Sequence, residues 1–277
     1  MADLCRRRLM WALGAGLAAL PLHALAEGGI EDEATPKPKP KPRPKAPAKP
    51  AAKPSEAAKP AAAAEPEAAH AAPPSVTPEA AMTRLMEGNA RYVDGRATHP
   101  NADGARRVAV SSAQRPFATI LTCADSRVAP ELIFDQGLGD LFVIRVAGNV
   151  VDDAVLASIE YAALHLGSTL VMVLGHERCG AVKATLDALA GRGDPTDRDT
   201  HIGALAALIT PAAQAVPSDA DDRLDAAVSL NAAHAAGEIF AGSRTLRTRV
   251  LEGKLRIVAA RYDLDDGRVT PTRARQA

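Results

Sequence analysis

From about Thr77 onward, short apolar runs alternate with longer amphipathic ones. Phe117–Thr122, Leu141–Val146, Thr169–Leu174 and Leu255–Tyr262 are rich in β-branched and other apolar residues. Their lengths suit buried strands. Between them the apolar spacing becomes helical. Thr77 is an N-cap and Pro78 a first helical residue, opening a helix through Leu85 and Met86 to about Tyr92, with Gly88 as a weak point. Pro130–Phe134 predicts a short helix. Asp152-Asp153 starts a helix over Ala154–Leu166, with Leu156, Ile159, Ala163 and Leu166 on one face and Gly167 as its stop. Gly180–Leu189, Asp221–Phe240 and Ser243–Glu252 also read as helices. A polar loop precedes Asp221, and Asp265-Asp266-Gly267 is a turn.

Strands alternating with helices give an α/β fold, with a mostly parallel central sheet flanked by helices. The loop Cys123-Ala124-Asp125-Ser126-Arg127 follows the first strand. Gly175-His176-Glu177-Arg178-Cys179-Gly180 follows the third. Both therefore belong at the carboxyl end of the sheet, where open α/β folds bind ligands.

The chain before Thr77 has a different texture. Arg6-Arg7-Arg8, the apolar run Leu9–Leu25 and the small-residue site Ala24-Leu25-Ala26 predict an export signal over residues 1–26. Its start resembles a twin-arginine signal, with Cys5 at the usual Ser or Thr position. The expected location is periplasmic or secreted, reached already folded by a twin-arginine route. That route would let a metal cap the thiols before an oxidising compartment is met. Residues 27–76, with Lys-Pro, Ala-Lys-Pro and Ala-Glu-Pro repeats, predict a disordered Pro/Ala/Lys-rich linker. The folded domain is then residues 77–277. Pro21 and His23 interrupt the apolar run, so no stable membrane span is expected in the mature chain.

Composition narrows the partners. Lys plus Arg and Asp plus Glu are 33 each, so net charge is zero and no overall field favours nucleic acid. With 3 cysteines, one of them Cys5 in the export segment, a disulfide framework is not expected. Every cysteine of the mature chain then becomes a candidate ligand.

Cys123, His176 and Cys179 are three ligands of the kind zinc prefers, leaving a fourth position open for water as catalytic sites do. Asp125, two residues after the first ligand, can occupy that position in a closed state. It can instead accept a hydrogen bond from zinc-bound hydroxide. Arg127 can hold the carboxylate bidentately and keep it ionised. Ser126 lacks a nucleophile elbow around it, so a local backbone hydrogen bond is its expected role.

These residues resemble a β-class carbonic anhydrase. Cys123-Ala124-Asp125-Ser126-Arg127 is similar to that family's Cys-x-Asp-Ser-Arg motif, and His176-Glu177-Arg178-Cys179 to its His-x-x-Cys motif. Leu85–Tyr92, Asp135–Phe142, Arg145–Asn149 and Ile159–Leu166 also resemble family segments, so the likeness runs over about Thr77 to Thr270. The resemblance implies a zinc ion held by Cys123, His176 and Cys179 and a catalytic dyad of Asp125 and Arg127. It implies that Gln114 orients the substrate and that the Gly180 N–H meets bicarbonate. Phe142, Ala147 and Tyr161 fall at the apolar pocket wall, Tyr161 entering a partner subunit's site. A homodimer or tetramer is implied. Ile120 stands where members with an inhibitory bicarbonate site carry tryptophan, so that regulation is not implied.

The expected reaction is the reversible hydration of carbon dioxide to bicarbonate and a proton by zinc-bound hydroxide, with one Zn2+ per subunit. Two alternatives stay open. One is hydrolysis of a related linear substrate, carbon disulfide or carbonyl sulfide. The other is a non-catalytic zinc or redox module in which Cys123 and Cys179 pair on metal loss. The Asp125–Arg127 pair and Gln114 argue against the module, since a structural site needs neither.

Overall fold

The computed structural model describes residues 76–272. Export segment 1–26 and all of linker 27–76 except Val76 lie outside the described residues, as does 273–277. Strands β1 (Ala118–Thr122), β2 (Leu141–Arg145), β3 (Leu170–His176) and β4 (Arg256–Tyr262) are parallel, and β5 (Val269–Thr272) runs antiparallel to β4. Their order is β2-β1-β3-β4-β5. From β1 the chain crosses outward to β2, then returns to add β3 on the other side. The sheet therefore reverses its winding direction between β1 and β3, and a crevice opens beyond their carboxyl ends. Both expected ligand loops leave from those two strands.

The helices are α1 (Pro78–Val93), α2 (Gly104–Ala109), α3 (Pro130–Ile133), α4 (Asp153–His165), α5 (Gly180–Leu189), α6 (His201–Gln214), α7 (Arg223–Gly242) and α8 (Arg244–Leu251). Thr77 caps α1 as expected, its hydroxyl accepting from the Ala80 N–H at 3.2 Å. Alternate strand residues feed two cores. Ile120, Met172 and Val258 pack with Leu85 of α1 and Phe134 on one face. Leu121, Val173 and Ala259 pack with Ile159 of α4, Ile239 of α7 and Leu246 of α8 on the other. Burial on both faces is why these strands read as continuous apolar runs.

Three elements escaped the hydrophobic pattern. The expected polar loop before Asp221 contains α6, which carries Pro211 inside it. Its buried residues are only Ile209, Ala212 and Ala213, so the apolar stripe is faint. α2 buries no residue, and β5 is a short edge strand containing Pro271. β3 also runs beyond Leu174, because Gly175 and His176 still pair with Arg261 and Tyr262 of β4. Gly175 permits this beneath α7, since a Cβ there would lie 3.2 Å from both Val228 Cγ1 and Val228 O.

α1 is tied to the turn after α3 by a buried carboxylate. Asp135 accepts from Arg91 Nε at 2.6 Å and from the N–H of His99 at 2.7 Å, with Thr98 donating through both N–H and hydroxyl. No helix among the described residues is long and apolar enough to cross a membrane.

Candidate metal centre

Thr122 pairs with Leu174, so the chain leaves β1 at Cys123 beside the point where β3 reaches Gly175 and His176. Cys179 then stands at the N-cap of α5. All three side chains are buried, and their ligand atoms lie within 4.8 Å of one another. The floor beneath them is apolar, made by Val150, Val182 of α5, Ile209 of α6 and Val228 of α7.

Each ligand is oriented from outside the trio. His176 Nδ1 is 2.9 Å from the Glu177 carbonyl oxygen. A carbonyl only accepts, so Nδ1 carries the proton and Nε2 the lone pair. Nε2 is buried with no hydrogen-bond partner. An orphaned buried nitrogen facing two sulfurs fits a soft divalent cation. Cys123 Sγ accepts from the Gly148 N–H at 3.3 Å. Its thiol is drawn well down, first by the hydrogen bond from Cys179, with burial opposing and His176 and Gly148 assisting. The Cys179 thiol is pushed up by the same hydrogen bond and by burial, against the N–H groups of Val182 and Ala181.

Asp125 and Arg127 meet as expected. Arg127 Nε donates to Asp125 Oδ1 at 2.9 Å, and Nη2 donates to Oδ2 at 2.7 Å. The Arg127 guanidinium holds the carboxyl well below the usual carboxylate range, against the effect of burial. Oδ2 also lies 3.8 Å from His176 Nε2, so the carboxylate borders the Cys123–His176–Cys179 cluster.

Arg145, at the end of β2, has a larger part than its nearness in sequence indicates. Its Nη2 donates to the Asp125 carbonyl at 2.6 Å and its Nε to the Cys123 carbonyl at 3.3 Å. It thus fastens the loop carrying both a ligand and the carboxylate. Asn231 of α7 was also not singled out by the sequence. Its Nδ2 donates to the Gly148 carbonyl at 2.7 Å, behind the N–H that meets Cys123. The available signal was an amide within an alanine-rich helical stripe.

The remaining expected residues lie farther out. Gly180 is exposed at the first turn of α5 and borders a cavity of about 320 Å³, lined also by Lys183, Asp187 and Ile202. Ala147 is half-buried in the 3-10 turn Ala147–Asn149, next to Gly148. Phe142 sits in edge strand β2, with its ring centroid 6.4 Å from that of Tyr161 on α4. Tyr161 is 49% exposed and points away from its own core. Gln114 is exposed and precedes β1, whereas Cys123 follows it. Five strand residues carry a chain about 16 Å, so the length of β1 lies between Gln114 and the Cys123 end of the strand.

A sequence model of the carbonic anhydrase family matches residues 118–269. Carbonic anhydrase 2 of Mycobacterium tuberculosis is 43% identical over 195 residues, covering 70% of this chain and 93% of its own. The carbonic anhydrase of Mycolicibacterium smegmatis is 41% identical over 196 residues, covering 71% and 94%. A solved Coccomyxa β-carbonic anhydrase superposes with a TM-score of 0.53 at 27% identity, over 69% of this chain and 85% of that one. The match spans the strands and both ligand loops, and the chain belongs to the β-class carbonic anhydrase family.

Proposed function

We propose that the chain catalyses the reversible hydration of carbon dioxide to bicarbonate and a proton, with one zinc ion per subunit held by Cys123, His176 and Cys179. The observation that carries this reading is the buried, partnerless Nε2 of His176 facing two sulfurs, with the Asp125–Arg127 pair beside it. Zinc in such a donor set would supply a Lewis acid that turns water into a nucleophile near neutral pH.

The side chains divide the remaining work. Asp125 stays ionised beside Arg127 and can only accept. A water or hydroxyl next to it must turn a hydrogen toward it, leaving a lone pair directed at the substrate. The Gly180 N–H, unconsumed at a helix start, would meet an oxygen of bicarbonate. Phe142, Ala147 and Tyr161 would form an apolar wall around a linear substrate that offers little for hydrogen bonding. Gln114 would orient that substrate from a neighbouring subunit.

A homodimer or tetramer follows from the same reading. β2 is an edge strand whose Leu141–Ile144 are half-buried, and Tyr161 and Leu164 beside it are 49% and 40% exposed. An apolar edge of this kind calls for cover. The export signal (1–26), linker (27–76) and periplasmic or secreted location belong to the proposal too. A reporter fused to residues 1–30 should be exported by the folded-protein route; export by the general secretory route alone would contradict it.

Stopped-flow hydration of carbon dioxide by the zinc-loaded protein at mildly alkaline pH tests the activity. Rapid turnover is expected. A folded, zinc-replete sample that hydrates no carbon dioxide would overturn the reading.

A further inference from the structure

Gly148 has φ +68°, and its N–H donates to Cys123 Sγ at 3.3 Å. That backbone region is strained for any residue with a side chain. The surroundings are equally restrictive, since a Cβ on Gly148 would approach Ile209 Cδ1 to 2.7 Å and Ala181 Cβ to 3.3 Å. What holds the turn in register is a side chain from a distant element. Asn231 Nδ2 donates to the Gly148 carbonyl at 2.7 Å, across 83 residues of sequence.

Asn231 is 2% exposed, among the buried Ala227, Val228, Ala232 and Ala235 of α7. Alanine would serve the helix better at such a position, and a buried amide is costly unless it is used. Its use here lies at the sulfur. The Gly148 N–H and C=O belong to adjoining peptide planes that meet at its Cα, so holding the carbonyl restrains the turn that carries the N–H.

We propose that Asn231 is a positioning residue of the metal centre, which pins the Gly148 turn so that its N–H stays aimed at the Cys123 sulfur. The inference rests on the ligand reading above and deepens it. Two thiolates donate heavily to a bound cation. An N–H aimed at one of them withdraws electron density from that sulfur and limits its donation. Partners outside the ligand set tune metal affinity in this way and are worth about 10–100-fold.

Cobalt(II) in place of zinc provides the readout, through its sulfur-to-cobalt charge-transfer band. Asn231→Leu keeps about the volume and loses the donor, while Asn231→Ala removes the amide altogether. Folding of each is checked by circular dichroism. In a folded variant, the charge-transfer band should move to longer wavelength, because the sulfur becomes easier to oxidise. Zinc affinity measured by chelator competition should fall about tenfold, because a sulfur no longer held in place by the Gly148 turn must be ordered by the cation itself, which outweighs its freer donation. A merely structural amide would lower thermal stability without moving the band. An unchanged band and affinity in a folded variant overturn the positioning role while leaving the ligand reading intact. A wild-type chain that takes up neither cobalt nor zinc would sink the ligand reading and this inference with it.

Discussion

Asp125 and Arg127 are joined edge to edge, both carboxylate oxygens accepting from one guanidinium at 2.9 and 2.7 Å. The same carboxylate stands 3.8 Å from the partnerless nitrogen of His176. In the proposed reaction this pairing would separate holding the metal from directing the water. Asp125→Ala should therefore retain zinc and lose turnover by about 100-fold or more. Zinc content and stopped-flow hydration of the same preparation check this. Wild-type turnover in the variant would remove the dyad from the mechanism.

Cys179 has a different duty. It joins the loop after β3 to the start of α5, with its sulfur directed at Cys123. Cys179→Ser should lose most bound metal, and with it the stability that metal binding contributes to the fold. Metal analysis and thermal unfolding with and without added zinc test the point. The wild type should gain stability from zinc and the variant should not. Equal zinc content in the two proteins would contradict the ligand assignment.

Much of this centre was legible in the sequence, because the three candidate ligands and the Asp125–Arg127 pair lie in two short stretches where β1 and β3 end. Two buried, unbroken apolar runs were enough to bring those stretches to one crevice. The contacts that hold them were less visible. Arg145 reaches the Asp125 carbonyl from another strand, and Asn231 reaches Gly148 from α7. Neither leaves a local periodicity. α6 was hidden for a different reason. Pro211 reads as a breaker, and much of the helix surface is alanine, so the one large side chain it buries, Ile209, stood without a pattern around it.

Acid should loosen the packing of α1 before it reaches the sheet. Burial by itself would push the Asp135 pKa up, but Arg91 and the N–H groups of Thr98 and His99 outweigh it and hold the pKa well below its ordinary value. A carboxyl depressed in the folded state stabilises the fold above its unfolded pKa of about 3.9. That contribution falls away as the pH drops from there toward the folded value. Asp135→Asn should cost about 2 kcal/mol at pH 7 and should flatten the fall in stability below about pH 4. Denaturant unfolding from pH 7 down to about pH 2, a range that runs well below the unfolded pKa, checks both. Parallel curves for variant and wild type would assign the acid sensitivity elsewhere.

The position of Gln114 allows a test by mixing subunits. β1 lies between it and Cys123, which in the proposed assembly puts Gln114 at a neighbouring subunit's site. Gln114→Ala and Asp125→Ala homo-oligomers should each be nearly inactive. When the two are unfolded together, refolded with zinc and mixed in equal amounts, half of the resulting dimers pair unlike subunits. In each such pair, one site has the intact Asp125 of one subunit and the intact Gln114 of the other. Activity should recover to about a quarter of the wild-type value per subunit, as random pairing across a two-fold interface requires. If Gln114 served its own subunit, no mixed dimer would contain a complete site, and the mixture would stay as inactive as its parents.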